Sequence, residues 1–149
     1  MHHSRIPIPL PQEECYFYHG IALFNSHRYF DAHEVWEEVW RPLDPCPKKV
    51  FYQGLIQAAV ALEHLRRGNA RGARTLHHGA QLKLSALSSP FMGLDLGAFL
   101  ANLQNALAPL RDAPHPAPPP AFNAATAPII ALASDPFATG EAGRLNPSR

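Results

Sequence analysis

Two side chains one helical turn apart, His33 and Glu37, have the residue types and the spacing that could perform chemistry. They lie in residues 29–40, where apolar side chains recur at helical spacing and predict a short amphipathic helix. On a helical wheel at about 100° per residue, His33 and Glu37 fall inside the arc that must be covered, whereas Glu34 and Glu38 fall on the polar arc. An inward-facing carboxylate must be paired or bound to a cation, so Glu37 marks a candidate site.

A second polar stripe lies in the next predicted helix, which is otherwise apolar nearly all round. Gln53, Gln57 and His64 recur there at i, i+4 and i+11, and buried amides need hydrogen-bond partners. We therefore expect the two stripes to meet. The expected polar layer consists of His33, Glu37, Gln57 and His64, supported by Gln53 and Trp40.

Two interpretations of this layer stay open. In the first, the layer binds a divalent metal ion, with His33 and Glu37 as ligands and Asp31 or His64 as a further ligand, because a catalytic zinc ion usually has three protein ligands. Such a site would suit metal-dependent hydrolysis, with Glu37 as a ligand or as the catalytic base. In the second, the layer is a hydrogen-bond network inside a non-catalytic helical scaffold or protein-interaction domain. A zincin motif is excluded, because Glu37 stands where that motif requires histidine.

The start of the helix that carries the pair affects the charge of His33. Asp31, followed three residues later by Glu34, predicts a capping box with Asp31 as the N-cap. His33 would then lie in the first turn, where the positive end of the helix dipole favours the neutral ring that a metal ligand needs.

The elements that position these residues are predicted to be helices, because almost no segment alternates apolar and polar residues with a period of two. Gly68 and Asn69 have the types of a C-cap and an N-cap, which predicts an antiparallel helix pair on either side of them. We expect an all-α single bundle of about five helices. Their approximate predicted ranges are 11–25, 29 or 31 to 41, 48–67, 69–87 and 95–107.

Proline content sets the expected domain limits, since nine of the sixteen prolines lie from Pro109 onward. We expect a flexible proline-rich leader over residues 1–12, a helical bundle domain over 13–111, and an irregular Pro/Ala-rich tail over 112–149. Within that tail only the apolar stretch 127–133 could dock on the bundle, and a solvated tail is the simpler expectation.

Composition narrows the class of protein. The net charge of +1 over 149 residues argues against a dedicated nucleic-acid-binding protein. Two cysteines are too few for a disulfide framework and favour a soluble protein of the cytoplasm, and no apolar run is long enough to span a membrane. Residues 13–44 are rich in acids and residues 48–83 in bases, so either these segments pack together or the fourth helix faces an acidic protein partner. A homo-oligomer is equally compatible with this pattern.

The chain resembles a known family, the domain of unknown function 309 family. The resemblance covers about Tyr18 to Leu87, and its hallmark of His, three residues, Glu, two residues and Trp maps onto His33, Glu37 and Trp40. The other matching residues are Leu23-Phe24-Asn25, residues 29–37, residues 53–59, and Gly68-Asn69 with Gly72-Ala73. The resemblance implies a small helical bundle, a motif suggested to bind metal, and no established activity. One departure lies in the turn Ser26-His27-Arg28, where a glycine is usual in the family.

Overall fold

The computed structural model describes residues 6–112 and 122–147, without the side chains of residues 111 and 112. Five helices of eleven residues or more form the body of the protein: α1 (Leu10–Asn25), α2 (Tyr29–Trp40), α3 (Pro47–Arg66), α4 (Ala70–Ser85) and α5 (Leu96–Ala106). Shorter turns follow: α6 (Pro109–Asp112), a 3₁₀ turn (Ala124–Thr126) and α7 (Glu141–Arg144). The described residues contain no strand beyond one isolated bridge, so the predicted all-α bundle is confirmed.

Helix α3 occupies the centre of the bundle. It packs between α2 and α4, while α1 packs on α2 and also contacts the first turns of α3 through Phe17 and Glu13. Neighbours on two sides explain why α3 is apolar nearly all round, as a central helix must be. The largest buried side chains of the core come from the first three helices: Phe17, Phe24, Tyr29, Trp36, Phe51 and Tyr52.

The joints between the helices follow local chemistry. At the predicted joint of α3 and α4, Gly68 has a φ of +79°, and the side chain of Asn69 accepts a hydrogen bond from the N–H of Gly72 at 3.0 Å. In the turn between α1 and α2, His27 has a φ of +64°, a left-handed conformation that glycine adopts with less strain.

The two ends of the described chain differ from the expectations. Helix α1 begins at Leu10, so residues 10–12 of the expected leader are helical, because Pro11 is tolerated in a first turn. Residues 122–147 dock on the bundle, which agrees with the docking considered for the stretch 127–133 and not with the simpler expectation of a solvated tail. Asn25 donates to the carbonyl of Ile130 at 3.0 Å and accepts from its N–H at 2.8 Å, and the Ile130 side chain is buried. Residues 1–5, 113–121 and 148–149 of the expected leader and tail lie outside the described residues.

The segment docks because it makes both apolar and polar contacts with the bundle. Its contacting residues have no regular helical spacing, so the sequence pattern does not predict the docking. Ala142 is buried, and Phe137 packs on Phe17 with 5.7 Å between ring centroids. The hydroxyl of Tyr18 donates to Asp135 at 2.7 Å. Among the described residues, no helix combines the length and the hydropathy needed to cross a lipid bilayer.

Candidate functional site

His33 and Glu37 form a close pair on α2. The Nε2 atom of His33 lies 2.6 Å from Oε1 of Glu37, and the two side chains are 17% and 23% exposed. Glu38, the next residue along, is 54% exposed, as the helical wheel predicted. The pair is thus half-buried and reachable from solvent.

The other ring nitrogen of His33 also has a partner. Nδ1 lies 2.7 Å from the carbonyl oxygen of Phe30, a bond that requires a proton on Nδ1. With that proton in place, Nε2 of a neutral ring would direct its lone pair at the Glu37 carboxylate. The 2.6 Å contact is the length of a charge-assisted hydrogen bond, so it requires a proton between the two groups. A metal ion bound by both atoms would replace that proton and hold the atoms further apart.

Arg41 supplies a further positive charge to Glu37. Its Nη2 donates to Oε2 of Glu37 at 3.0 Å, so the two carboxylate oxygens face His33 and Arg41 respectively. The Arg41 side chain is 62% exposed. A surface guanidinium of this kind contributes little to stability and can move aside at small cost.

The pair lies in the middle of one face of α2, defined by Phe30, His33, Glu37 and Trp40 at helical spacing. The ring of Phe30 lies 4.9 Å from that of His33. Both ends of this face contact α3. The guanidinium of Arg67 lies 5.9 Å from the Phe30 ring centroid, and Nζ of Lys49 lies 4.5 Å from that of Trp40.

The expected polar layer does not form, because Gln57 and His64 face α4 instead of α2. The side chain of Gln57 packs on Gly79, where an added Cβ would come within 2.9 Å of it, and its buried Oε1 has no described hydrogen-bond partner. Nδ1 of His64 lies 3.1 Å from Nδ2 of Asn69, at the start of α4. Gln53 is half-buried and makes no hydrogen bond to the pair among the described residues.

Asp31 is also separate from the pair. The predicted capping box is wrong: Arg28 is the N-cap, Tyr29 begins α2, and the Asp31 carboxylate contacts Nη2 of Arg28 at 2.6 Å. The helix starts early because the Tyr29 side chain is completely buried against the core. His33 consequently lies beyond the first turn, where the helix dipole has less effect. In the described ranges, no three His, Cys, Asp or Glu side chains group as a metal ion would need.

Sequence reasoning missed a buried polar cluster at the opposite end of α3. Nζ of Lys48 donates to Oε1 of Glu13 at 2.8 Å and to Oδ1 of Asn146 at 2.6 Å. The hydroxyl of Tyr52 donates to the other oxygen of Glu13 at 2.8 Å. Glu13 is 1% exposed and Lys48 is 0% exposed, so these charges depend on each other. A signal existed, since Glu13 stands one turn before Phe17 on the apolar stripe of α1.

The cluster also perturbs the titration of Tyr52. Burial raises the pKa of its phenol well above the ordinary value, and the negative charge of Glu13 and the hydrogen bond to it act in the same direction. The neutral phenol is therefore the form that the fold stabilises. The cluster joins α1, α3 and the docked C-terminal segment, and its sealed position indicates a structural role.

Comparison with known proteins agrees with the resemblance seen in the sequence. Residues 17–76, which contain the His33–Glu37 pair and all of α2 and α3, match the model of the family described as "Domain of unknown function (DUF309)". Over this segment the chain is similar to that family. The match covers most of the range expected from the sequence and confirms the resemblance.

Two relatives of the chain have names that specify no activity. An uncharacterized protein, YpuF, of Bacillus subtilis (strain 168) is 34% identical over 94 residues, which are 62% of this chain and 54% of YpuF. An uncharacterized protein of Aquifex aeolicus (strain VF5) is 33% identical over 84 residues, which are 56% of this chain and 25% of that protein. The chain thus spans about half the length of the first relative and a quarter of the second.

Proposed function

We propose that this domain binds a divalent metal ion through Nε2 of His33 and the carboxylate of Glu37. The observation that carries the proposal is the position of the His33 ring. Its Nδ1–H is held by the Phe30 carbonyl at 2.7 Å, and its Nε2 faces a carboxylate oxygen at 2.6 Å. A backbone carbonyl on the distant ring nitrogen is the usual support of a metal-ligating histidine, since it fixes the tautomer and orients the ring.

The chemistry of the donor set fits such an ion. Imidazole nitrogen combined with carboxylate oxygen suits Zn²⁺ and other divalent first-row metals. Two protein ligands leave the remaining coordination positions open toward solvent, consistent with the partial exposure of the pair. We expect binding weaker than that of a structural zinc site, because no third ligand stands beside the pair among the described residues.

Metal-dependent hydrolysis is the activity that would follow from this arrangement. A divalent cation would supply Lewis acidity and a means of activating water. His33 would act as a ligand oriented by Phe30, and Glu37 as a ligand or as the group that accepts a proton. Arg41, two-thirds exposed beside Glu37, could pair with an anionic group of the substrate after leaving the carboxylate.

The proposal is tested by calorimetric titration with Zn²⁺ and Mn²⁺ and by elemental analysis of the purified protein. The parent protein should carry His2→Ala and His3→Ala, because those residues could bind metal independently. We expect Glu37→Gln to weaken binding by at least about tenfold, since the amide removes the anionic ligand. Glu38→Gln, on the exposed side of the same helix, is the matched control and should leave binding unchanged. Equal affinity of Glu37→Gln and the parent would refute the metal site.

A second candidate, a non-catalytic helical scaffold in which the pair is structural, is favoured by one observation. Both oxygens of Glu37 already have partners, one in His33 and one in Arg41, so the pair can serve as a local ion network. In that case neither metal should bind measurably. Glu37→Gln should then lower the free energy of unfolding by about 1 kcal/mol or less, the range for partly exposed pairs.

A further inference from the structure

A cleft of about 380 Å³ lies between the start of α2 and the end of α3, one helical turn from the His33–Glu37 pair. Its volume falls within the range of about 300–1,000 Å³ typical of small-molecule sites. The residues that line this cleft include residues 28–31, Glu63, Arg66 and Arg67.

Three guanidinium groups converge on this cleft, each oriented by a carboxylate. Arg66 donates from Nε and Nη2 to the two oxygens of Glu63 at 3.1 and 2.8 Å. Arg67 donates to the same carboxylate from Nε at 2.6 Å, and Arg28 donates from Nε to Asp31 at 2.9 Å. Three cations against two anions leave a net positive charge, and several guanidinium N–H groups remain free to bind a ligand.

The backbone adds further donors at the same place. The first hydrogen bond of the twelve-residue helix α2 runs from the N–H of Ala32 to the carbonyl of Arg28 at 3.0 Å. The N–H groups of Tyr29, Phe30 and Asp31 therefore have no partner within the helix, and no described side chain caps this end. Together with the positive end of the helix dipole, these N–H groups favour an anion.

The phenol of Tyr29 provides an independent indication of a ligand. Tyr29 is 0% exposed, and its hydroxyl is buried without a hydrogen-bond partner among the described residues. Tyr29 lines the cleft, and its phenol lies in the electrostatic range of Arg66 and Glu63, which line the same cleft. Buried hydroxyls are rarely left unpaired, so an acceptor oxygen of a ligand beside this hydroxyl would complete its hydrogen bonding.

We propose that this cleft binds the phosphate group of a small phosphomonoester. Guanidinium groups recognise phosphate oxygens in a bidentate manner, and helix N-termini bind the same group through backbone N–H donors. The volume exceeds what one phosphate needs and leaves room for an organic part beside the ring of Phe30, which is 48% exposed. The inference does not depend on the metal site, because it uses different side chains.

The test is calorimetric titration with inorganic phosphate and with phenyl phosphate, with phenol as the control without phosphate and ionic strength held constant with KCl. The double variant Arg28→Gln/Arg67→Gln removes two guanidiniums whose side chains are 64% and 62% exposed, and it leaves Arg66 paired with the buried Glu63. Arg71→Gln is the matched control, an exposed arginine on α4 that does not line the cleft.

We expect phenyl phosphate to bind more tightly than inorganic phosphate, and phenol not to bind. The double variant should lose at least about tenfold in affinity for phenyl phosphate, while Arg71→Gln and Glu37→Gln keep it. Tyr29→Phe should weaken binding without lowering the unfolding temperature. Phosphate binding no stronger than chloride binding, or an equal loss in Arg71→Gln, would overturn the proposal. Tighter binding of inorganic phosphate would overturn the phosphomonoester assignment.

Discussion

Replacement of Lys48 by methionine tests the buried cluster that joins α1, α3 and the docked C-terminal segment. The substitution keeps the length of the side chain but removes the ammonium, and with it the contacts to Glu13 at 2.8 Å and to Asn146 at 2.6 Å. The Glu13 carboxylate, 1% exposed, would keep the hydroxyl of Tyr52 as its remaining donor in the cluster. An ionised group in that position has lost its counter-charge without regaining water.

The expected loss is large compared with the total stability. Removing one member of a buried ion pair costs about 3–5 kcal/mol, out of about 5–15 kcal/mol for a typical domain. Adding Glu13→Gln should recover part of this loss, because the neutral amide still accepts the hydrogen bond from Tyr52 and leaves no buried charge. We expect the double variant Glu13→Gln/Lys48→Met to be at least about 1 kcal/mol more stable than Lys48→Met alone.

Urea unfolding followed by circular dichroism measures both quantities, with Lys49→Met as the control on the adjacent, partly exposed residue. The reasoning is refuted if Lys48→Met unfolds at the wild-type urea concentration. It is refuted equally if the effects of Glu13→Gln and Lys48→Met simply add, because independent effects would mean that the two charges do not interact.

Two further predictions concern alkaline pH and close packing. Because the pKa of Tyr52 is raised in the fold, the unfolded chain releases the phenolic proton first. The contribution of Tyr52 to stability should therefore fall above about pH 10, by up to about 1.4 kcal/mol per pH unit. Urea titrations at pH 9 to 11 should show a smaller decline for Tyr52→Phe, and an unchanged decline would contradict the assignment. Gly20→Ala would place a methyl group 2.1 Å from Nε1 of Trp36 and should cost about 1–3 kcal/mol by urea unfolding. Gly97→Ala, whose methyl would meet only Asp95 at 3.7 Å, should not destabilise, and equal losses in both variants would refute the packing argument.

The helices could be predicted from the sequence because their apolar stripes and end residues agree. Asn69 caps α4 as its type and position predicted, and α3 is central as its all-round apolar surface indicated. The start of α2 could not be predicted in this way. The burial of Tyr29 decides where that helix begins, and this contact depends on Phe24 of α1, 5.2 Å away between ring centroids.

The candidate site was also predictable only in part: the pair on α2 could be predicted, but the contacts of α3 could not. The wheel places Glu37 inward and beside His33, because both positions belong to one helix and their geometry is local. The position of Gln57 is not local, because α3 has neighbours on two sides and the sequence does not tell which of them a given side chain faces. Its contact with Gly79 was therefore missed, as was the pairing of Glu13 with Lys48, which is 35 residues away.

The groups around Lys48 show that the segment matched by the family model is shorter than the structural unit to which it belongs. Residues 17–76 match the family model, yet the carboxylate that neutralises Lys48 lies at residue 13 and the amide that completes its shell lies at residue 146. A polypeptide trimmed to residues 17–76 would keep Lys48 and lose both of those groups. We therefore expect the unit that unfolds cooperatively to be longer, at both ends, than the segment that the family model matches.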